Sequence, residues 1–209
     1  MRVGERAIPV AWKVIETKGE IGFDVQKELL DEVVKMMPKN IDILLAADRF
    51  YGTAALVNYC QKQDWKYRVR LKGNLIFQHD GGEITCGDAL KLNLNSLTNA
   101  SFNNTKITTN IGILHESGHP EPWFIAMSEL PNQSRVRDYG MPKKTKMGGI
   151  ECMFSDFKSR GFGITKTQLQ HTDRIERLIL LLTLALYWAT STGMQPKLEK
   201  YTQKKKCEV

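Results

Sequence analysis

Two carboxylates and a lysine have the types and spacing for phosphodiester chemistry. Asp48, in Ala46-Ala47-Asp48-Arg49-Phe50-Tyr51-Gly52, follows the almost wholly apolar run from Ile41 to Ala47. About a hundred residues later Glu151 stands in Gly149-Ile150-Glu151-Cys152-Met153-Phe154-Ser155-Asp156-Phe157-Lys158, with Lys158 seven positions beyond it. A strand-end aspartate and a helical glutamate brought together across an insertion supply the hard oxygen ligands that Mg²⁺ or Mn²⁺ prefers. Two such ions, roughly 4 Å apart, activate an attacking oxygen and stabilise a leaving one. That arrangement takes at least one further carboxylate. Lys158, two turns along the helix from Glu151, would meet a phosphate as a point charge.

Each of these residues also has an ordinary reading. Asp48 could cap the helix that follows it, Glu151 could pair with a neighbouring lysine, and Lys158 could be a solvated helix residue. Lys143, Lys144, Lys146, Lys158, Arg160 and Lys166 concentrate positive charge near Glu151, either as contacts to a DNA backbone or as a solvated face. His115-Glu116-Ser117-Gly118-His119 matches the string of zinc metalloproteases, in which a helix presents both histidines on one side. Gly118 and Pro120 would break that helix, and the segment sits between two predicted strands. Trp123 reads as sheet core rather than as a base-stacking residue.

The elements that must position these residues are legible in outline. Ala7 to Ile15 has the apolar density of a strand, and Val25 to Met37 carries apolar residues at helical spacing before Pro38 stops it. Ile41 to Ala47 reads as a parallel strand covered on both faces, with Asp48 at its carboxyl end. Gly52 to Gln63 is the return helix, and Lys66 to Leu71 alternates as a further strand. From Lys72 to about Gly140 the texture changes to short runs, Leu75–Gln78, Glu83–Cys86, Thr105–Leu114 and Pro122–Met127, separated by Gly, Asn and Pro. The Asn-rich piece Asn93–Asn104 reads as an exposed loop. Helical patterning returns near Gly149 and again from Thr172 to about Thr190, and the polar tail Lys197–Val209 reads as frayed.

Composition bounds the rest. The 209 residues suit one sizeable core, with a net charge of +7 and a pI near 9.2 that favour a polyanionic partner. Cys60, Cys86, Cys152 and Cys207 lack the spacing of a metal motif or a secreted disulfide framework, so free thiols in a reducing compartment are expected. The apolar stretch Leu178–Ala189 is shorter than the roughly 18 to 20 residues a bilayer requires and reads as a buried helix.

With these residues in place, the chain resembles the DDE transposases of bacterial insertion sequences, in the group with a Tyr-Arg-Glu-Lys signature around the final glutamate. The resemblance runs from about Ala7 to Thr190. It implies an α/β fold with a ribonuclease-H-like core, partial here, and a β-rich insertion at about 72–140 within a single domain. It implies that Asp48 is the second aspartate, Glu151 the glutamate and Lys158 the signature lysine, with Mg²⁺ or Mn²⁺ held by Asp48 and Glu151. The implied partners are DNA, as element ends and as target, and a second copy or an intact transposase, in the bacterial cytoplasm at the nucleoid and away from membranes.

Two departures qualify the resemblance. The signature tyrosine and arginine should stand seven and four residues before the glutamate, where Lys144 and Met147 are found, and Gly148 replaces the usual tryptophan. The first aspartate belongs to a strand expected before Ala7, and Asp24 falls in the wrong place to serve for it. The 209 residues therefore read as the carboxyl-terminal part of such an enzyme, inactive alone and prone to self-association. The alternative is a DNA-binding remnant without chemistry that interferes with the intact enzyme.

Overall fold

The computed structural model describes residues 1–3, 6–19, 21–115, 121–132, 135–137 and 148–207. In chain order the elements are β1 (Arg2–Val3), β2 (Arg6–Ala7), α1 (Phe23–Met36), β3 (Leu44–Ala47), α2 (Ala54–Lys62), β4 (Lys66–Arg70), β5 (Ile76–His79), β6 (Gly82–Thr85), α3 (Cys86–Lys91), β7 (Ser96–Phe102), β8 (Thr108–Leu114), β9 (Trp123–Met127), α4 (Gly148–Ser155) and α5 (Thr172–Cys207). A π-helical turn spans Asp156–Arg160 and a 3₁₀ turn spans Ile164–Lys166. The chain divides into two compact units, Gly19–Met147 and Met1–Lys18 with Gly148–Val209.

The Gly19–Met147 unit is built on one seven-stranded mixed sheet in the order β3-β4-β9-β8-β7-β5-β6. β3 and β4 are parallel, joined by α2 as the crossover, and every other neighbouring pair is antiparallel. The strands of the 72–140 region thus extend the sheet that carries β3. Leu56 and Val57 of α2, Tyr67 and Val69 of β4, and Phe77, Leu97, Phe102, Ile111 and Phe124 of the later strands form its main core. Fully burying each such Leu, Val, Ile or Phe contributes about 1.5–3 kcal/mol. The buried Tyr67 hydroxyl lies 3.1 Å from that of Thr109, so neither polar group is orphaned.

Two expectations change here. β3 lies at the edge of the sheet and its four residues are only half-buried, because among the described residues no strand pairs with its other side. The Asn-rich stretch expected as a loop contains β7, with Leu97, Ala100 and Phe102 buried. A register irregularity between Leu97 and Ala100, where Asn99 adopts φ +52°, hides the alternation that would have announced the strand. The short helix α3 was likewise unforeseen, and Thr85 caps it by accepting the Asp88 N–H at 3.0 Å.

In the other unit, β1 and β2 form a two-stranded antiparallel ribbon. Of the leading strand expected over Ala7–Ile15, only Ala7 lies in a strand, with Ile8 exchanging hydrogen bonds with Met1 at 2.7 and 2.8 Å; beyond them Trp12 Nε1 donates to the Glu176 carbonyl at 3.2 Å, and the Val14 N–H donates to Glu176 Oε1 at 3.0 Å. The apolar run therefore packs along a helix instead of entering a sheet. Ala7, Met153, Phe157 and Leu186 form the core of this unit, with Ile150, Ile179 and Leu182 against it.

Helix α5 overturns the buried-helix reading. Ile179, Leu182 and Leu186 face that core, but Leu181, Leu184, Tyr187 and Trp188 are exposed, Trp188 by 74%. The cause is apolar residues on all sides of a helix that has one packed stripe. Its Thr172–Gly193 part, 22 residues at mean hydropathy 1.2, is long and apolar enough to cross a membrane by length and composition. The tail expected to fray continues α5 to Cys207.

Candidate active site

Asp48 follows the last residue of β3 and is exposed. Its Oδ1 accepts the Phe50 N–H at 3.0 Å and its carbonyl accepts the Tyr51 N–H at 3.1 Å, which folds Asp48–Tyr51 into a tight turn. Oδ2 makes no hydrogen bond among the described residues. The capping alternative falls to another residue: Thr53 Oγ1 accepts the Leu56 N–H at 3.3 Å and caps α2. Gly52 lies between turn and cap because β4 passes close by; a Cβ there would stand 2.5 Å from the Arg70 carbonyl oxygen.

Glu151 sits in the first turn of α4, exposed, with no hydrogen bond or ion pair among the described residues. A carboxylate in a first turn also sits favourably in the helix dipole. Lys158 lies beyond α4 in the π-helical turn, its Nζ 5.7 Å from the centre of the Phe154 ring. The single α-helix expected to carry both residues therefore gives way to a π turn that begins between Glu151 and Lys158. Asp156, one turn after Glu151, is paired with Arg6 at 3.0 Å. Asp48 belongs to the Gly19–Met147 unit, and Glu151 and Lys158 to the other.

The two carboxylates suit a hard cation: both are exposed, Glu151 is unengaged among the described residues, and Asp48 keeps one oxygen open. No group of three or more His, Cys, Asp or Glu side chains gathers among the described residues in a form that could hold a metal. Asp24 lies in the first turn of α1. His115 directly follows β8, so no helix presents it, and Glu116 and His119 lie outside the described residues. Lys143, Lys144, Lys146 and Met147 also lie outside them, as does the side chain of Arg160, while Lys166 is exposed in its 3₁₀ turn.

A group absent from the sequence reading surrounds the Asp48 turn. Arg49 Nη1 and Arg70 Nη2 both donate to Glu121 Oε2, at 3.3 and 3.1 Å. These residues, with Phe50, Lys72 and Phe124, line a cleft of about 460 Å³. The signal was present in Lys66–Leu71, whose alternation puts Arg68 and Arg70 on one face of β4. Trp123, half-buried, packs with Ile125, Met127 and Val136, and the Arg70 guanidinium lies 5.4 Å from its ring centre, so it is a core residue with a cation on one face.

The family model described as a transposase DDE domain matches residues 23–188. The chain belongs to the DDE transposase family. No curated protein matches it. The matched span contains Asp48, the cleft, Glu151 and Lys158. Membership makes the α/β arrangement that of a ribonuclease-H-like transposase domain and DNA its class of partner. Divalent metal ions are what the family normally uses.

Proposed function

We propose that this transposase domain takes part in DNA strand cleavage and strand transfer, with Asp48 and Glu151 as ligands for Mg²⁺ or Mn²⁺ and Lys158 as a contact to a phosphate beside them. The observation that carries the reading is Asp48: it stands at the carboxyl end of a strand inside the matched span, held by its own turn with one oxygen open. The overall reaction is hydrolysis of a phosphodiester at the element's end, followed by attack of the freed 3′ hydroxyl on target DNA. A bound divalent ion supplies Lewis acidity toward the phosphodiester oxygens. Asp48 and Glu151 would be the residues that hold such an ion, and Lys158 would neutralise a non-bridging phosphate oxygen. The protein works on DNA at the nucleoid, as a homodimer or paired with an intact transposase.

The 209 residues hold matches to two of the family's three carboxylates, and Asp24, on a helix, is no substitute for the third. These residues alone are therefore expected to bind DNA with strong salt dependence and to leave strands uncut. Their test is a labelled duplex incubated with Mg²⁺ or Mn²⁺ over a salt series. Metal-dependent nicking that disappears in Asp48→Ala would refute inactivity of the isolated chain, and absence of DNA binding at low salt would refute the reading as a whole. That no three metal-ligating side chains gather among the described residues favours, as second reading, a non-catalytic DNA-binding member that interferes with an intact partner. Inhibition of an active transposase by this chain, retained in Asp48→Ala, would select it.

A further inference from the structure

We infer that the cleft beside Asp48 is a binding site for one unpaired nucleotide of a DNA strand, with Phe50 as the stacking surface, Arg49 and Arg70 as the phosphate site, and Glu121 as a built-in occupant that the phosphate displaces. The inference rests on the transposase reading and adds to it a subsite and its resting state.

Among the described residues, Arg49 and Arg70 line the cleft with a single carboxylate, Glu121, shared between them. Two guanidiniums on one carboxylate favour a further anion. Both guanidiniums converge on a single atom, Glu121 Oε2, which is how two arginines hold one phosphate oxygen. Glu121 thus keeps the fork assembled in the absence of a ligand. The arrangement is easily exchanged, since the Glu121 side chain is 58% exposed and exposed ion pairs contribute little net stability. A phosphodiester offers the same fork a charged oxygen together with a covalently attached base.

The base has a surface to meet. Phe50 is 55% exposed although it is a large apolar side chain, and its ring has the Arg49 guanidinium and the Lys72 ammonium each 5.9 Å from its centre. Aromatic rings bordered by cations are how single-stranded nucleic acid is held without reading its sequence. The Asp48–Phe50 hydrogen bond and the close approach of Gly52 to β4 fix this ring relative to the fork. Pro122 and Phe124 close the cleft on its apolar side.

The test measures binding of the 209-residue chain to a short labelled oligothymidine, to an abasic strand of equal length and to a duplex. Phe50→Ala should weaken oligothymidine about fivefold or more while leaving the abasic strand unchanged, and Phe50→Trp should restore it. Glu121→Gln should tighten both single strands about threefold by removing the competing carboxylate. Both positions in these variants are exposed, and unchanged thermal unfolding verifies that the fold is kept. Duplex binding with no effect of Phe50→Ala or Glu121→Gln on any strand overturns the cleft and leaves the transposase reading standing. Phe50-dependent single-strand binding with no duplex binding does the reverse, and equal loss of abasic and oligothymidine binding in Phe50→Ala overturns the stacking role.

Discussion

Asp48 accepts the backbone N–H of Phe50 through Oδ1 at 3.0 Å, so the carboxylate proposed to hold metal also shapes the turn that presents the cleft. The two roles separate by substitution. Asp48→Asn keeps an acceptor oxygen and should melt close to the parent, whereas Asp48→Ala should lose about 1 kcal/mol. Both should lose Mn²⁺ binding by calorimetry. An Asp48→Asn variant that binds Mn²⁺ like the parent would remove Asp48 from the ligand set.

Gly52 is held to its type by β4. A methyl group there would press on the Arg70 carbonyl at 2.5 Å and on Leu71 Cδ2 at 3.2 Å. Gly52→Ala should cost about 1–3 kcal/mol and, by shifting Arg70, weaken oligonucleotide binding as well. Denaturant unfolding gives the first quantity and anisotropy the second; full stability in this variant would show that β4 moves freely.

Arg68 is nearly enclosed, with its side chain 12% exposed, and it donates to Glu129 Oε2 at 3.0 Å. That hydrogen bond, with the charges of Arg68 and Arg135, holds the Glu129 carboxyl below the ordinary glutamate value of 4.5. A lowered folded value means that the ionised form is favoured on folding. The contribution is complete above about pH 4.5 and is lost as pH falls through the lowered folded value. Glu129→Gln should therefore flatten the decline in stability below that pH and cost about 1–2 kcal/mol at neutrality. An unchanged acid profile would show that Glu129 is not linked to folding.

Thiol chemistry should divide the cysteines by burial. Cys60 and Cys86 are fully buried and desolvation pushes each thiol up to about 12, whereas Cys152 is exposed on α4. A maleimide pulse on the native chain, followed by peptide mapping, should label Cys152 within minutes and leave Cys60 and Cys86 intact until denaturant is added. Early labelling of Cys60 would mean that α2 opens from the sheet.

Self-association is expected from two features, the open edge of β3 and the exposed Leu181, Leu184 and Trp188 of α5. Replacing those three α5 residues with Gln, Gln and Lys should shift sedimentation toward the monomer. No shift would assign association to the β3 edge.

The sequence by itself determined the local chemistry and most element types. Asp48 at a strand end, the α2 and β4 runs, four of the five strands after Lys72 in outline, and Glu151 on a helix all follow from period and punctuation, which act over a few residues. Tertiary structure decided what those elements meet. Ile41–Ala47 reads as a covered strand because apolar density does not say which neighbours arrive, and β3 turned out to be an edge. Leu178–Ala189 reads as buried for the same reason, yet only one stripe of α5 is packed. The π turn at Asp156–Arg160 replaces the α-helix expected to run on to Lys158, without any glycine or proline inside it to mark the change. The pairing of Arg49 and Arg70 on Glu121, residues 72 and 51 positions away, arises when β4 and β9 pair and the Asp48 turn folds over β4. Long-range contacts of that kind leave no local period in a sequence, and the candidate nucleotide cleft is made of them.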